Sequence, residues 1–96
     1  MEILFTTKYS DKLEAGYIEY SRPNGKLRVQ LMTSIEPIAT LSVYVDGISL
    51  EKDEFVAKTI DENEGLNEQF LKDGIFSDTG KTCSLGWATL PIYRVN

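Results

Sequence analysis

The groups able to do chemistry in this chain are its carboxylates, its lysines, five tyrosines and a single cysteine, Cys83; histidine is absent. That absence removes every Ser-His-Asp, Cys-His and His-metal arrangement, together with the usual proton shuttle of neutral pH. With no histidine to activate it, Cys83 reads as a small loop or core residue. Three short matches remain. Asp78-Thr79-Gly80 is the triplet of aspartic proteases, and a chain of this size would have to dimerise to build their carboxylate dyad. That dyad needs the triplet at the end of an apolar strand, whereas Ser77 precedes it here and Lys81-Thr82 follows. Gly80-Lys81-Thr82 ends as a phosphate-binding loop does, but the required first glycine would fall at Ile75 and no helix follows to present its N-terminus. Asp61-Glu62-Asn63-Glu64-Gly65 is as acidic as a calcium loop. An EF-hand begun at Asp61 would place Leu66 where glycine is needed and Lys72 where the bidentate glutamate is needed. Helix capping accounts for Asp61 and Asn63 instead. No Glu-x-Lys or Asp-x-Lys step of the metal-dependent nucleases occurs. Catalytic residues, metal ligands and cofactors are therefore assigned to no position.

The elements that would carry these residues follow from periodicity. Residues 2–7 predict a first strand and residues 16–22 a second, with Tyr17, Glu19 and Ser21 alternating against Ile18 and Tyr20. Pro23-Asn24-Gly25 is a turn, since proline presets φ and Asn-Gly accepts the positive φ of a tight hairpin. Residues 26–32 then alternate, Leu27, Val29 and Leu31 inward and Lys26, Arg28 and Gln30 outward. Residues 37–45 predict one further strand, with Ala39, Leu41, Val43 and Val45 on a single face, closed by a turn at Asp46-Gly47 that leads into Ile48-Ser49-Leu50. A short strand is expected over 54–59. The one helix is expected over 64–72, capped by Asp61 or Asn63, stopped at Gly74, and held down by Leu66, Phe70 and Leu71. Residues 77–86 read as a polar loop. Residues 87–95 read as a last strand, which Pro91 assigns to an edge or a bulge. The fold class expected is α+β, a mostly antiparallel sheet of five to six strands with one helix packed on it, in a single domain of residues 1–96.

Composition narrows the function. A chain with 42% hydrophobic and 26% charged residues can bury one modest core, with a net stability of about 5–10 kcal/mol. No run of residues is long and apolar enough to span a bilayer, the start lacks a signal peptide's pattern, and one cysteine can form no internal disulfide. A cytoplasmic protein is expected. Net charge is −5, and residues 46–73 carry nine acids against three lysines. Such a face repels phosphate, so direct binding of nucleic acid is not expected; it attracts basic surfaces and speeds encounter with them. Phe5, Phe55, Phe70 and Trp87 are assigned to the core, and Tyr9, Tyr17, Tyr20, Tyr44 and Tyr93 to surfaces able to bind a partner. Pro91 and the charges near the termini read as edge protection, so a monomer is expected.

From Glu36 onward the chain resembles a family of short proteins carried by plasmids, phages and integrative elements of bacteria. The resemblance rests on Glu36-Pro37 leading into Ala39-Thr40-Leu41-Ser42-Val43, on Phe55, and on Asp61 and Asn63 before the helix. It continues through Phe70-Leu71, Gly74-Ile75, Thr79-Gly80, Ser84-x-Gly86 and the closing Leu90-Pro91-Ile92-Tyr93. The family has no agreed activity. What the resemblance implies is a setting in which small acidic proteins often inhibit host defence, and the chain is similar in kind to type II anti-CRISPR proteins, inhibitors of the Cas9 nuclease. The expectation is thus a stoichiometric inhibitor of a nucleic-acid-handling enzyme, Cas9 or its guide-RNA complex, rather than an enzyme. The alternatives are an accessory mobile-element protein with an unrelated host partner and a small hydrolase. The footprint expected for the partner is Asp61, Glu62, Glu64 and Glu68, with Glu64 and Glu68 one helical turn apart, and secondarily the hairpin surface around Tyr17 and Tyr20.

Overall fold

A computed structural model describes residues 2–96. β1 (Ile3–Thr7) buries Ile3 and Phe5 on one face and pairs antiparallel with the first half of β2 (Ser10–Ser21). The second half of β2 pairs instead with β3 (Arg28–Met32), from Tyr17 opposite Met32 to Ser21 opposite Arg28. Gly16 is the joint between the halves. A Cβ there would lie 2.4 Å from the Met32 carbonyl oxygen and 3.0 Å from a ring carbon of Phe5, a separation only glycine permits. β2 starts well before residue 16 because its exposed first half needs only the β1 ladder, which leaves no apolar alternation to read. The turn into β3 has positive φ at Asn24 and Gly25, as the Asn-Gly pair requires. Val29 and Leu31 are buried and Leu27 half-buried, as their alternation predicts.

The strand expected over 37–45 is two strands. β4 (Pro37–Thr40) completes a first sheet in the order β1-β2-β3-β4, while β5 (Ser42–Val43) opens a second. Leu41 is the crossing point. Its N–H donates to the Val29 carbonyl at 2.8 Å, in the first sheet, and its carbonyl accepts from the Lys58 N–H at 2.9 Å, just past the second. Val29 would lose an acceptor at this break, and the Ser42 hydroxyl supplies one at 3.0 Å. The even face expected for Ala39, Leu41, Val43 and Val45 is therefore divided. Ala39 and Leu41 join one core, Val43 and Val45 another.

The second sheet continues with β6 (Glu54–Ala57), β7 (Phe76–Leu85) and β8 (Ala88–Val95), in the order β5-β6-β8-β7. The single sheet of five to six strands thus becomes two sheets of four. The main core lies between them, with Phe5, Val29, Leu31 and Leu41 from one side and Phe55, Ala57, Phe76 and Tyr93 from the other. Phe76 meets Phe55 edge-on at 5.0 Å and Phe70 at 6.0 Å. The outer face of the second sheet carries Val56, Cys83, Leu90 and Ile92, partly covered by Val43, Val45, Ile48 and Ile60. All of β6 is buried in consequence.

Residues 77–86, read as a polar loop, are mostly β7. This edge strand is polar because one side and much of one face meet water. Two extra residues bulge it between Asp78 and Thr82. Pro91 lies in β8, an inner strand and not an edge, opposite Thr82 where the bulge ends. The protection that Pro91 was expected to give an edge is supplied on β7 by the bulge itself.

α1 (Leu66–Lys72) buries Leu66 and Phe70 as the spacing predicts, and it ends in a Schellman motif. Ile75 N–H donates to Phe70 O, Gly74 N–H donates to Leu71 O, and Gly74 takes the left-handed conformation. The start differs from expectation. Asp61–Asn63 form a single 3-10 turn, Gly65 is the N-cap residue, and no side chain caps the helix. Asn63 and Asn67 are buried because they bind strand backbone. The Asn63 amide donates to Thr40 O at 2.7 Å, and the Asn67 amide donates to Leu41 O and Lys58 O at 3.0 Å each. Gln69 holds the edge of β1, accepting from the Thr6 N–H at 2.9 Å and donating to the Thr6 carbonyl at 2.7 Å. No helix among the described residues is long and apolar enough to cross a membrane.

Two variants test this framework by urea denaturation. Asn67→Ala strips a donor from two carbonyls and leaves a cavity, so it should lower stability by about 2–4 kcal/mol. A loss under about 0.5 kcal/mol would show that the two sheets hold together without it. Gly16→Ala should cost about 2 kcal/mol or more, because the Met32 backbone cannot give way as a flexible side chain could.

Candidate functional site

The short motifs take structural roles. Asp78-Thr79-Gly80 forms the β7 bulge, where the Asp78 carboxylate accepts from the Gly80 N–H at 2.9 Å and the Thr79 hydroxyl donates to Ile92 O at 2.6 Å. Asp78 is exposed on an edge strand, with no dry cleft in which a second aspartate could meet it. Gly80-Lys81-Thr82 lies in β7, with Gly80 at φ 81° in the bulge, and β8 follows it, not a helix. Asp61 sits at φ 56°, which aspartate tolerates, and among the described residues no group of three acids or cysteines converges to hold a metal ion. Cys83 is buried in the outer core of the second sheet.

One carboxylate is buried. Glu54 has a side chain 1% exposed, on the same face of β6 as Val56. Its Oε1 accepts from Lys81 Nζ at 2.7 Å and from the Glu51 N–H at 2.9 Å, and Arg94 Nη2 lies 3.8 Å from Oε2. The Lys81 hydrogen bond, then the Glu51 amide, hold its carboxyl below the ordinary range. This is a cross-strand clamp. It ties the bulge of edge strand β7 to β6 across β8 through Oε1, while Oε2 has no hydrogen-bond partner.

Exposed acids lie at the expected footprint and also along β2, at Asp11, Glu14 and Glu19. Asp61, Glu62, Glu64 and Glu68 are all exposed. Glu64 lies ahead of α1, between the 3-10 turn and Gly65, so Glu64 and Glu68 are not one helical turn apart as the longer helix implied. Glu62 pairs with Lys58, which holds its carboxyl below the ordinary range. Asp61, Glu64 and Glu68 have no ion-pair partner among the described residues. Asp78 joins them. The phenol of Tyr93 is pushed up to about 12 by burial, then by the charges of Glu68 and Asp78, and the β7–β8 register sets Asp78 directly opposite Tyr93. The acidic edge thus runs from the 3-10 turn along α1 onto β7, a juxtaposition invisible in sequence because ten residues separate Glu68 from Asp78.

The aromatics require three corrections. Tyr17 and Tyr20 are both accessible, but strand alternation puts them on opposite faces of β2, so they make no common patch. Tyr93, assigned to a surface, is 3% exposed and packs on Phe55 and Phe76. Trp87, assigned to the core, is 84% exposed at the tip of the β7–β8 hairpin. Gly86 has φ 60° at the first turn position, which leaves Trp87 outside the sheet. The Gly86-Trp87 pair was a legible two-residue hairpin signal once 77–86 was recognised as a strand. Sequence reasoning also missed a cleft beside β3 and β6, because its walls come from segments distant in the chain.

The Glu54 clamp makes a pH prediction. A carboxyl with a lowered folded pKa contributes stability that is complete above the ordinary value of 4.5 and is lost as pH falls through the folded value. Glu54→Gln should therefore melt below the parent near neutral pH. The gap between the two should close as pH is lowered beneath 4.5; a gap independent of pH would mean that packing, not charge, is what the variant loses.

Compared with protein-family models, with curated proteins and with solved structures, the chain has no match.

Proposed function

We propose that this chain acts by binding a macromolecule through its acidic edge, and that the partner presents a basic surface of the kind that handles nucleic acid. The observation that carries this reading is that Asp61, Glu64, Glu68 and Asp78 are exposed and lack cationic partners among the described residues, whereas the buried carboxylate, Glu54, is held by Lys81. Unpaired acids of one sign raise the local potential, and that speeds encounter with a basic groove. The resemblance to mobile-element proteins names a partner of this chemistry. A Cas9-type nuclease carries positively charged channels for its guide and target, and a small acidic domain competes there with phosphate. Inhibition would be stoichiometric, with no turnover.

A cleavage assay with purified Cas9, guide RNA and labelled target, titrated with this protein, tests the reading. Inhibition should saturate near equimolar protein. Glu64→Lys with Glu68→Lys should weaken it by about 10-fold and flatten its dependence on salt, because each exposed acid contributes only about 0.3–1 kcal/mol and mainly to the rate of encounter. The melting temperature should stay close to the parent's, since neither side chain is buried. Adding Glu62→Lys should extend the loss toward 100-fold while also removing the ion pair with Lys58. Complete cleavage at large molar excess would remove Cas9 as the partner. Equal inhibition by parent and reversed variants at low and high salt would remove the acidic edge as the footprint.

A further inference from the structure

A cleft of about 480 Å³ opens between the β2–β3 turn and β3 on one side and the segment from β5 through β6 on the other. Its lining includes a group of apolar side chains. Val43, Val45 and Ile48 pack against the outer core of the second sheet with one side and face the cleft with the other, and Leu50 is 37% exposed at its mouth. Protein interiors close most voids larger than a water molecule, so a space of this size in a domain this small is a feature of shape rather than a packing fault.

The rim has the opposite charge to the rest of the molecule. Arg22, Lys26, Arg28 and Lys52 all border the cleft, four of the ten cations in a chain of net charge −5. Of the acids on its lining, Glu54 is engaged by Lys81 and Arg94, which leaves the Glu51 carboxylate. Arg22 is anchored, donating to the Lys52 carbonyl at 2.9 Å with Asp53 at 3.9 Å. The other three cations have no carboxylate partner among the described residues. Lys26 instead rests over the Tyr44 ring, 5.3 Å from its centroid. Unpaired cations around an apolar space complement a ligand with a charged head and an apolar body. The head would take charge-assisted hydrogen bonds from Arg28 and Lys26, and the body would displace water from Val43, Val45 and Ile48.

We propose that this cleft binds a small organic anion with an apolar body, a carboxylate or a phosphate ester. Backbone amide shifts of Val43, Tyr44, Val45 and Ile48 report occupancy in the intact chain. The probes are octanoate, octyl phosphate, 1-octanol and inorganic phosphate, all well below micelle-forming concentrations. One or both octyl anions should shift these amides saturably, at least about 10-fold more tightly than 1-octanol, and which anion binds better identifies the head group. Lys26→Glu with Arg28→Glu should weaken that binding at least about 10-fold. Leu50→Trp, at a half-exposed loop position that leaves the sheets intact, should block it while the amide spectrum elsewhere stays that of the folded parent. Three results would overturn the site: 1-octanol binding as tightly as either anion, inorganic phosphate producing the same shifts, or no saturable shift with any probe.

Discussion

The structure depends on how one peptide unit, Leu41, is divided between two sheets. A strand that ends one sheet and begins another must break its ladder, and every polar group freed at the break costs about 1–3 kcal/mol if it stays buried and unpaired. Here the Leu41 N–H remains with β3, its carbonyl passes to Lys58 and Asn67, and the Ser42 hydroxyl replaces the carbonyl that Val29 has lost. Asn63 takes the preceding carbonyl, that of Thr40. The apolar Leu41 side chain meanwhile sits fully buried in the core that both sheets share. Backbone satisfaction and hydrophobic burial therefore act at one residue, and neither works without the other.

This arrangement explains why so short a helix is stable. Seven residues are too few to hold a helix in water, and α1 has no side-chain cap. It is held through Leu66 and Phe70 in the core and through Asn67 and Gln69, whose amides replace strand pairing at the Leu41 break and at the free edge of β1. At Gln69 one amide both donates and accepts, whereas at Asn67 the two N–H groups serve two carbonyls and Oδ1 has no partner. A carboxylate at position 67 could only accept, and it would face two carbonyls.

Much of this was legible, though not in its final form. The hairpin around Asn24-Gly25, the apolar pair Leu66 and Phe70, and the stop at Gly74 each follow from local chemistry, and each stands in the structure. Three features were hidden because they are not local. The run from Ala39 to Val45 alternates without interruption, so nothing in it marks Leu41 as a crossing point. Asn63 matches a helix cap by type and position, yet its amide is drawn to a strand carbonyl that sequence cannot place nearby. Residues 77–82 are polar as a loop would be, but an edge strand with a bulge has the same composition. Trp87 was assigned to the core as a large aromatic in a domain short of apolar volume, and its place at a hairpin tip is what keeps it outside. That Asp61, Glu62, Glu64 and Glu68 would be accessible was legible by composition, while the position of Asp78 required the β7–β8 register that sets it opposite Tyr93.

The charge pattern acquires meaning only from this topology. Glu54 and Lys81 lie far apart in sequence and pair in the second sheet, with Glu54 buried, so counting Glu54 as surface charge overstates the acidity of residues 46–73. Of the acids without ion-pair partners, Asp61, Glu64, Glu68 and Asp78 occupy the 3-10 turn, α1 and the adjoining part of β7, while others such as Asp11, Glu14 and Glu19 lie on β2. Of the cations without carboxylate partners, Lys26, Arg28 and Lys52 border the cleft, while Lys8, Lys12 and Lys72 lie elsewhere. Charges of both signs interspersed lower self-repulsion and leave no strong local field. The two proposed surfaces differ from each other in more than sign: the acids of the one stand exposed on a turn, a short helix and an edge strand, whereas the cations of the other border a cleft whose lining includes Val43, Val45 and Ile48.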